Sequence, residues 1–190
     1  MFAHPLSLIR YAWSAIGVVW IFGLVTAKRT VRAEPIAARL FHLALILSGM
    51  YLLIGGSLPS SWLSARILPR SQMLDIVGIT FTFGGCLFAI WARIVLGSNW
   101  SGRITVKEGH ELTIAGPYAV VRHPIYTGLL LAALGTGITI GEARCILGFA
   151  LLILAFVGKI GREDRLMLEI FPQAYPAYRL RVKALIPGVF

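Results

Sequence analysis

Residues 74–96 read Leu-Asp-Ile-Val-Gly-Ile-Thr-Phe-Thr-Phe-Gly-Gly-Cys-Leu-Phe-Ala-Ile-Trp-Ala-Arg-Ile-Val-Leu, with Asp75 near one end and Arg93 near the other. A helix rises about 1.5 Å per residue, so this run reaches about 35 Å, enough for a hydrocarbon core about 30 Å thick. Arg93 stands close enough to the end to extend its guanidinium to the boundary. The stretch therefore predicts a membrane-spanning helix. Along it Gly78, Thr82, Gly85 and Ala89 recur at three-to-four spacing, the small-residue face that lets helix backbones approach in lipid.

Working outward, apolar runs bounded by charge, Pro or Gly occur at 11–27, 40–58, 125–140 and 144–157. The last two are short and are joined by Gly141-Glu142-Ala143, which reads as the turn of a helical hairpin. Hydrophobic side chains make up 57% of the 190 residues, charged ones 14%, and the mean hydropathy is +0.79. That is more apolar than a soluble core requires. The fold class expected is an all-α integral membrane protein of about five transmembrane helices, followed by a C-terminal cytoplasmic amphipathic helix. That last helix is expected in 161–183, lying on the membrane surface and broken near Pro172 and Pro176. With no repeat, low-complexity tract or long linker, 1–190 reads as a single membrane domain.

Basic residues near helix ends are retained in the cytoplasm. With the N-terminus outside, the inner segments hold Lys28, Arg29, Arg32, Arg39, Arg103, Lys107, Arg122, Lys159, Arg162, Arg165, Arg179, Arg181 and Lys183, against Arg10, Arg66, Arg70 and Arg144 outside. A cytoplasmic C-terminus is expected, in a multi-pass protein of a bacterial or archaeal inner membrane. The same asymmetry accounts for the net charge of +10 through topology and contact with anionic membrane lipids, so no nucleic acid partner is expected. The first run is preceded by Arg10 and followed by Lys28 and Arg29, the reverse of a cleaved signal, and is expected to stay as a helix. Cys86 and Cys145 fall at different depths, so neither a disulfide nor a metal site is expected.

The polar material forms two blocks, 97–124 and 159–190, both on the expected cytoplasmic side. The first contains Gly116-Pro117-Tyr118-Ala119-Val120-Val121-Arg122-His123-Pro124-Ile125-Tyr126-Thr127-Gly128. Pro124 fixes the entry of the fourth helix, and free amides there, beside Arg122, suit an anion such as a carboxylate. The bland alternative is an interfacial anchor for Arg122 and a cap for His123. The second block opens with Arg162-Glu163-Asp164-Arg165, at the depth of Arg122 and His123. Adjacent acids at a bilayer boundary must be solvated, paired or holding a cation, and pairing with Arg162 and Arg165 is the simplest arrangement.

Together with Leu96-Gly97-Ser98-Asn99-Trp100, Lys107-Glu108-Gly109-His110-Glu111-Leu112 and the tail residues Phe171, Tyr175, Tyr178 and Pro187, these blocks resemble the isoprenylcysteine carboxyl methyltransferases and their prokaryotic relatives. The resemblance covers 96–187. Its signature is an Arg-His-Pro triplet and a distant Glu-Glu pair; here the pair is Glu163-Asp164, shorter by one methylene at the second acid.

The resemblance implies that 96–190 holds a cofactor-binding and catalytic segment for S-adenosylmethionine at the cytoplasmic surface, with a lipophilic substrate entering from the bilayer. It implies that His110, Leu112, Pro117 and Tyr118 line the amino acid and ribose side of the cofactor. His123 and Tyr126 would meet it at the helix mouth, and Glu163 would hold the ribose or a cationic portion. Arg122, Arg179 and Arg181 are candidates for orienting a substrate carboxylate, since the guanidinium fork binds both oxygens; the two tail arginines also suit phospholipid. Arg122, Glu163 and Arg181 are thus the candidate catalytic residues. Alternatives are a phosphatidylethanolamine N-methyltransferase, which needs a base at His123 or Glu163, a sterol reductase, for which the chain is short, and a membrane transporter or scaffold.

Overall fold

The computed structural model describes residues 5–25, 30–33, 35–55, 62–97, 105–107 and 112–190. The blocks Ser98-Asn99-Trp100 and Glu108-Gly109-His110-Glu111 of the sequence reading lie outside the described residues. Among the described residues six α-helices run in chain order: α1 (Pro5–Val25), α2 (Ile36–Ile54), α3 (Gln72–Leu96), α4 (Pro124–Ile140), α5 (Ala143–Ile170) and α6 (Ala174–Arg181). Two short strands, β1 (Thr30–Ala33) and β2 (Thr105–Lys107), pair antiparallel.

Four of the helices are long and apolar enough to cross a membrane, and α4 is a shorter apolar one. Leu47, Phe22 and Ile94 stand more than half exposed on their outer faces, as suits lipid rather than water. The protein is an all-α, multi-pass membrane protein; α3 and α4 begin within two residues of their apolar runs, α1 and α2 begin four to six residues earlier than theirs, and α5 continues well past its run, to Ile170.

Glycine sets the packing. In α3 and α4 the fit is reciprocal: a Cβ on Gly85 would sit 2.4 Å from the Gly128 carbonyl oxygen, and one on Gly128 would sit 2.6 Å from that of Gly85. One level away, Gly78 and Gly135 oppose each other in the same manner, at 2.7 and 2.4 Å. The small face of α3 is thus a helix contact, as its spacing predicts. A second seam joins α2 to α5, where Gly49 and Gly148 each abut the other's carbonyl oxygen. The first helix rests across α3 and α4, and Trp13 donates its indole N–H to Thr136 Oγ1 at 3.1 Å.

The ends alternate in direction. β1 follows α1 and β2 follows α3, so their pairing brings these two connections together. At the opposite end the α2–α3 connection meets the α4–α5 turn, with Ile67 N–H bonded to Gly141 O and Arg66 Nη1 to Ile140 O. Gly141 has φ 67°, the left-handed conformation that ends a helix at least cost when the residue is glycine. Cys86 and Cys145 are buried and unbridged.

The tail departs from the sequence reading in one respect. No separate surface helix begins near Gly161; α5 continues unbroken for 28 residues. Gly158 and Gly161 each weaken a helix by only about 1 kcal/mol, which packing overrides. The helix ends at Phe171, whose backbone φ of −122° and ψ of 60° reflect the exclusion of helical geometry before Pro172. Pro176 breaks nothing, because it falls in the first turn of α6, where a missing N–H is tolerated. The amphipathic element is therefore the eight-residue α6, folded back with Tyr175 and Tyr178 buried and Leu180 exposed.

Candidate active site

The mouth of α4 is built by two segments of chain. Gly116, at φ 58°, starts a tight turn whose Pro117 and Tyr118 are buried. The C-terminal residues then close over it. Arg122 N–H donates to Lys183 O at 2.8 Å, His123 N–H to Ala184 O at 3.0 Å, and Thr127 Oγ1 to Leu185 O at 2.8 Å. Tyr178 hydroxyl donates to Tyr118 O at 2.6 Å. The anion seat expected at this mouth is thus already occupied at two amides by the protein's own carbonyls.

Neighbouring residues of a helix point about 100° apart, so Glu163 and Asp164 share His123 but otherwise meet different partners. Asp164 turns to the α4 mouth and α6. Its Oδ2 lies 3.0 Å from Arg122 Nη2 and 3.7 Å from Arg179 Nε, and its Oδ1 lies 3.0 Å from His123 Nε2 and accepts the Tyr175 hydroxyl. Glu163 turns to α4, where Oε1 accepts the Tyr126 hydroxyl at 2.7 Å and Oε2 lies 3.4 Å from His123 Nδ1. Lys159 Nζ stands 3.9 Å from Glu163 Oε1. The acids are held by partners from other elements and from one turn away.

His123 bridges the two acids. Burial alone lowers an imidazole's pKa, but here the hydrogen bonds and charges of Asp164 and Glu163 outweigh it and raise the value above the ordinary one. With a carboxylate facing each ring nitrogen, both nitrogens donate, which is the imidazolium form. The raised value fixes the sign of the pH effect: the imidazolium's contribution to stability is complete below about pH 6.5 and is lost as pH rises through the folded value. The thermal midpoint of the wild type in detergent, relative to His123→Gln, is expected to lose its advantage as pH increases. An advantage that grows with pH would mean a neutral imidazole. Tyr175 is pushed well above the phenol range by burial and then by Asp164, and Tyr178 to about 12 chiefly by burial; both remain hydroxyl donors.

Rings continue the site inward. His123 stacks on Tyr126 with centroids 5.6 Å apart, and Tyr126 on Phe156 at 4.9 Å. His42 of α2 meets Phe156 edge-on at 6.3 Å. Lys159 Nζ lies 5.6 Å from the Tyr126 centroid, within cation–π range.

Of the residues expected from sequence, His123, Tyr126 and Glu163 come together, and Arg122 joins them through Asp164. Pro117 and Tyr118 form the wall beneath the tail, and Leu112 is half-buried on the approach to the turn. His110 lies outside the described residues. Arg181 is not brought to the cluster: it is exposed on α6 and, among the described residues, has no ion-pair partner. Arg122 is spoken for by Asp164 and by Val182 O.

Sequence reasoning gave Tyr175 no polar role and passed over His42. The first was signalled by its spacing from Tyr178 on one face of an amphipathic segment, the second by a histidine within an apolar run.

The family model described as the isoprenylcysteine carboxyl methyltransferase family matches residues 77–169, a segment that carries most of α3, the α4 mouth and the acidic pair. Over that segment, just under half of its length, the chain resembles this family. Among curated members it is similar to protein-S-isoprenylcysteine O-methyltransferase B of Arabidopsis thaliana, 28% identical over 125 residues, 64% of each chain. It is also similar to the protein-S-isoprenylcysteine O-methyltransferases of Xenopus laevis, 25% identical over 140 residues, and Schizosaccharomyces pombe, 33% over 99. These matches take in 68% and 50% of this chain and 49% and 42% of those two relatives. The isoprenylcysteine carboxyl methyltransferase match ends before α6, so Tyr175 and Arg179, which complete the shell of Asp164, lie beyond it.

Proposed function

We propose that this chain transfers a methyl group from S-adenosylmethionine to the carboxylate of a prenylated cysteine or similar lipophilic thioether acid, at the cytoplasmic face of the membrane. The observation that carries the reading is the buried cluster of His123, Tyr126, Glu163, Asp164 and Arg122, which lies within the family-matched segment and ties the α4 mouth to the end of α5. In this reading 96–190 is the cofactor-binding and catalytic part of a single membrane domain. The basic residues of the inner connections set an N-out, C-in orientation, and exposed Arg181 and Lys183 meet anionic headgroups.

The donor set suits the cofactor. Glu163 is the more accessible acid, its side chain 20% exposed against 9% for Asp164, and a carboxylate has about four lone-pair sites, so Tyr126 and His123 leave acceptor capacity for a ribose diol or a cation. His123, Tyr126, Pro117, Tyr118, Leu112 and His110 would line the rest of that site. When bound, S-adenosylmethionine supplies a methyl on a sulfonium: the carboxylate oxygen forms the new O–C bond, the C–S bond breaks, and its electron pair stays on sulfur.

No proton moves in such a transfer, because a carboxylate is ionised near neutral pH. The protein's work is alignment and exclusion of water. Asp164 positions His123 and Arg122 without reaching the reacting atoms. An amine acceptor would instead need a base, and His123, with a carboxylate on each nitrogen, has no lone pair to serve as one.

The test is transfer of radiolabelled methyl to N-acetyl-S-farnesyl-cysteine by the detergent-solubilised protein. Base-labile product is expected, with turnover reduced about 100-fold or more in Glu163→Ala and His123→Ala, the scale of loss that misplacement of reactants brings. Base-stable label on phosphatidylethanolamine, with none on the acid, would replace the carboxyl reading by the amine one.

A further inference from the structure

The contacts that hold His123 are unequal. Its Nε2 lies 3.0 Å from Asp164 Oδ1, whereas its Nδ1 lies 3.4 Å from Glu163 Oε2. The ring also lies over Tyr126 with only 6° between the planes. Stacking restrains the tilt of the imidazole, but parallel rings can still slide over each other, so the shorter bond to Oδ1 does most to locate it. The place of Oδ1 therefore decides the place of His123.

A carboxylate turns about its terminal bond in a broad, roughly two-fold well, and it stays put only if its oxygens are held. Arg122 holds Oδ2 at 3.0 Å. Arg122 and His123, however, are neighbours in one segment and would shift together, taking the carboxylate with them. A fixed reference has to come from another element. Helix α6 sends Arg179, half-exposed and no nearer than 3.7 Å to Oδ2, and the buried Tyr175. The Tyr175 hydroxyl donates to Oδ1, the atom that His123 uses.

Tyr175 is itself firmly placed. Its N–H donates to Phe171 O at 2.9 Å across the break at Pro172, and its ring meets Tyr178 edge-on at 6.0 Å. Tyr178 in turn donates to Tyr118 O at 2.6 Å, so the phenol is located against both the end of α5 and the wall that precedes α4. Burial and then Asp164 keep it well above the ordinary phenol range, and the hydroxyl keeps its proton. Tyr175 also lies beyond the family-matched segment 77–169.

We propose that Tyr175 is a positioning residue: through Asp164 Oδ1 it holds the imidazole of His123 in its place in the cofactor site. The proposal rests on the methyl-transfer reading set out above. It makes α6 part of the working site although it touches neither reactant.

The test measures the Kd for S-adenosylmethionine by calorimetry, with kcat and the KM for N-acetyl-S-farnesyl-cysteine, in the intact chain in detergent. Tyr175→Phe removes one oxygen and leaves the ring. It is expected to weaken cofactor binding about 3- to 10-fold, the scale of one uncharged hydrogen bond. Turnover should fall about 10-fold, short of the roughly 100-fold that a displacement of about 1 Å brings, with the acceptor KM within about twofold. In the His123→Ala background the same substitution should change the cofactor Kd by less than about twofold, because groups acting through one chain of bonds do not add. Tyr178→Phe is the comparison. It deletes the same atom from the same helix, and its effect on the Kd should be the same with and without His123.

Equal weakening by Tyr175→Phe in both backgrounds would overturn the proposal and leave Tyr175 a staple for α6, with methyl transfer standing. No weakening in either background would overturn it as well, and so would a Tyr178→Phe effect that depends on His123 to the same degree. If Tyr175→Phe does not fold, a ring-fluorinated tyrosine at 175, of nearly the same shape with a more acidic hydroxyl, decides by the same comparison: its change in Kd must vanish without His123. A wild-type protein that binds no S-adenosylmethionine would overturn the functional reading itself, and this proposal with it.

Discussion

Asp164→Ala is expected to destabilise the protein by about 3–5 kcal/mol, the range found when one partner is removed from a buried ion pair. The reason is the company the carboxylate keeps. Arg122 Nη2 and His123 Nε2 lie 3.0 Å from its oxygens, the Tyr175 hydroxyl donates to it, and Arg179 stands at 3.7 Å. Alanine leaves two buried cations and a buried hydroxyl facing each other. Asn fares little better, since its amide presents donors to Arg122 or His123 where acceptors are needed. Glu keeps the charge but forces an extra methylene into a closed shell, for which about 1–3 kcal/mol is the usual overpacking cost. Unfolding in detergent followed by circular dichroism gives these differences. A loss under about 1 kcal/mol for Asp164→Ala, the level of a solvated surface pair, would mean that the carboxylate is open to water. Activity should fall with stability, because α6 and residues 182–185 are anchored through the same Arg122.

The span positions were readable in the sequence because bilayer thickness imposes a length that composition alone satisfies. The two acids stood out in the sequence because charge at that depth demands a reason, and the structure gives them buried partners. What sequence concealed was direction. Nothing in Glu163-Asp164 says that one acid turns to Tyr126 and the other to Tyr175, since that depends on how α5 is rotated, and the rotation is set by Gly49 against Gly148 some four turns away. Arg122 looked available to an anion for the same reason: its pairing needs α6 to fold back, and only the three-dimensional course of the chain after Pro172 places it. The length of α5 was misjudged because hydropathy ends near Val157 while the helix does not; past that point the hydrogen-bonded backbone continues without an apolar run to mark it. His42 escaped notice because a polar residue in an apolar run becomes informative only once its neighbours are known.

The α3–α4 seam is where a single added methyl should do the most damage away from charge. Gly85→Ala places a carbon 2.4 Å from both the Gly128 carbonyl oxygen and the Ala132 nitrogen, and neither is the free end of a side chain. The helices must part, so the change is expected to cost about 2–3 kcal/mol, the upper part of the overpacking range. Gly135→Ala, 2.4 Å from the Gly78 oxygen, should cost about the same. Because both strain one contact between rigid helices, separating them for one substitution relieves the other, and the double variant should lose less than the sum, by about 1 kcal/mol of coupling. Gly84→Ala provides the control: nothing lies within 4 Å of its added carbon, and alanine's better helix propensity makes a change within about 0.5 kcal/mol or a slight gain the expected result. If Gly85→Ala behaves like Gly84→Ala, the close approach of the two helices is wrong. The seam also governs chemistry, since α4 carries His123 at its entry and Tyr126 one turn in. An outward shift of α4 by even about 1 Å would open the Tyr126–Glu163 and His123–Asp164 bonds, and misplacement on that scale can remove 100-fold in rate. Gly85→Ala is therefore expected to lower methyl transfer more than its stability loss alone would require, whereas Gly84→Ala leaves transfer as it was.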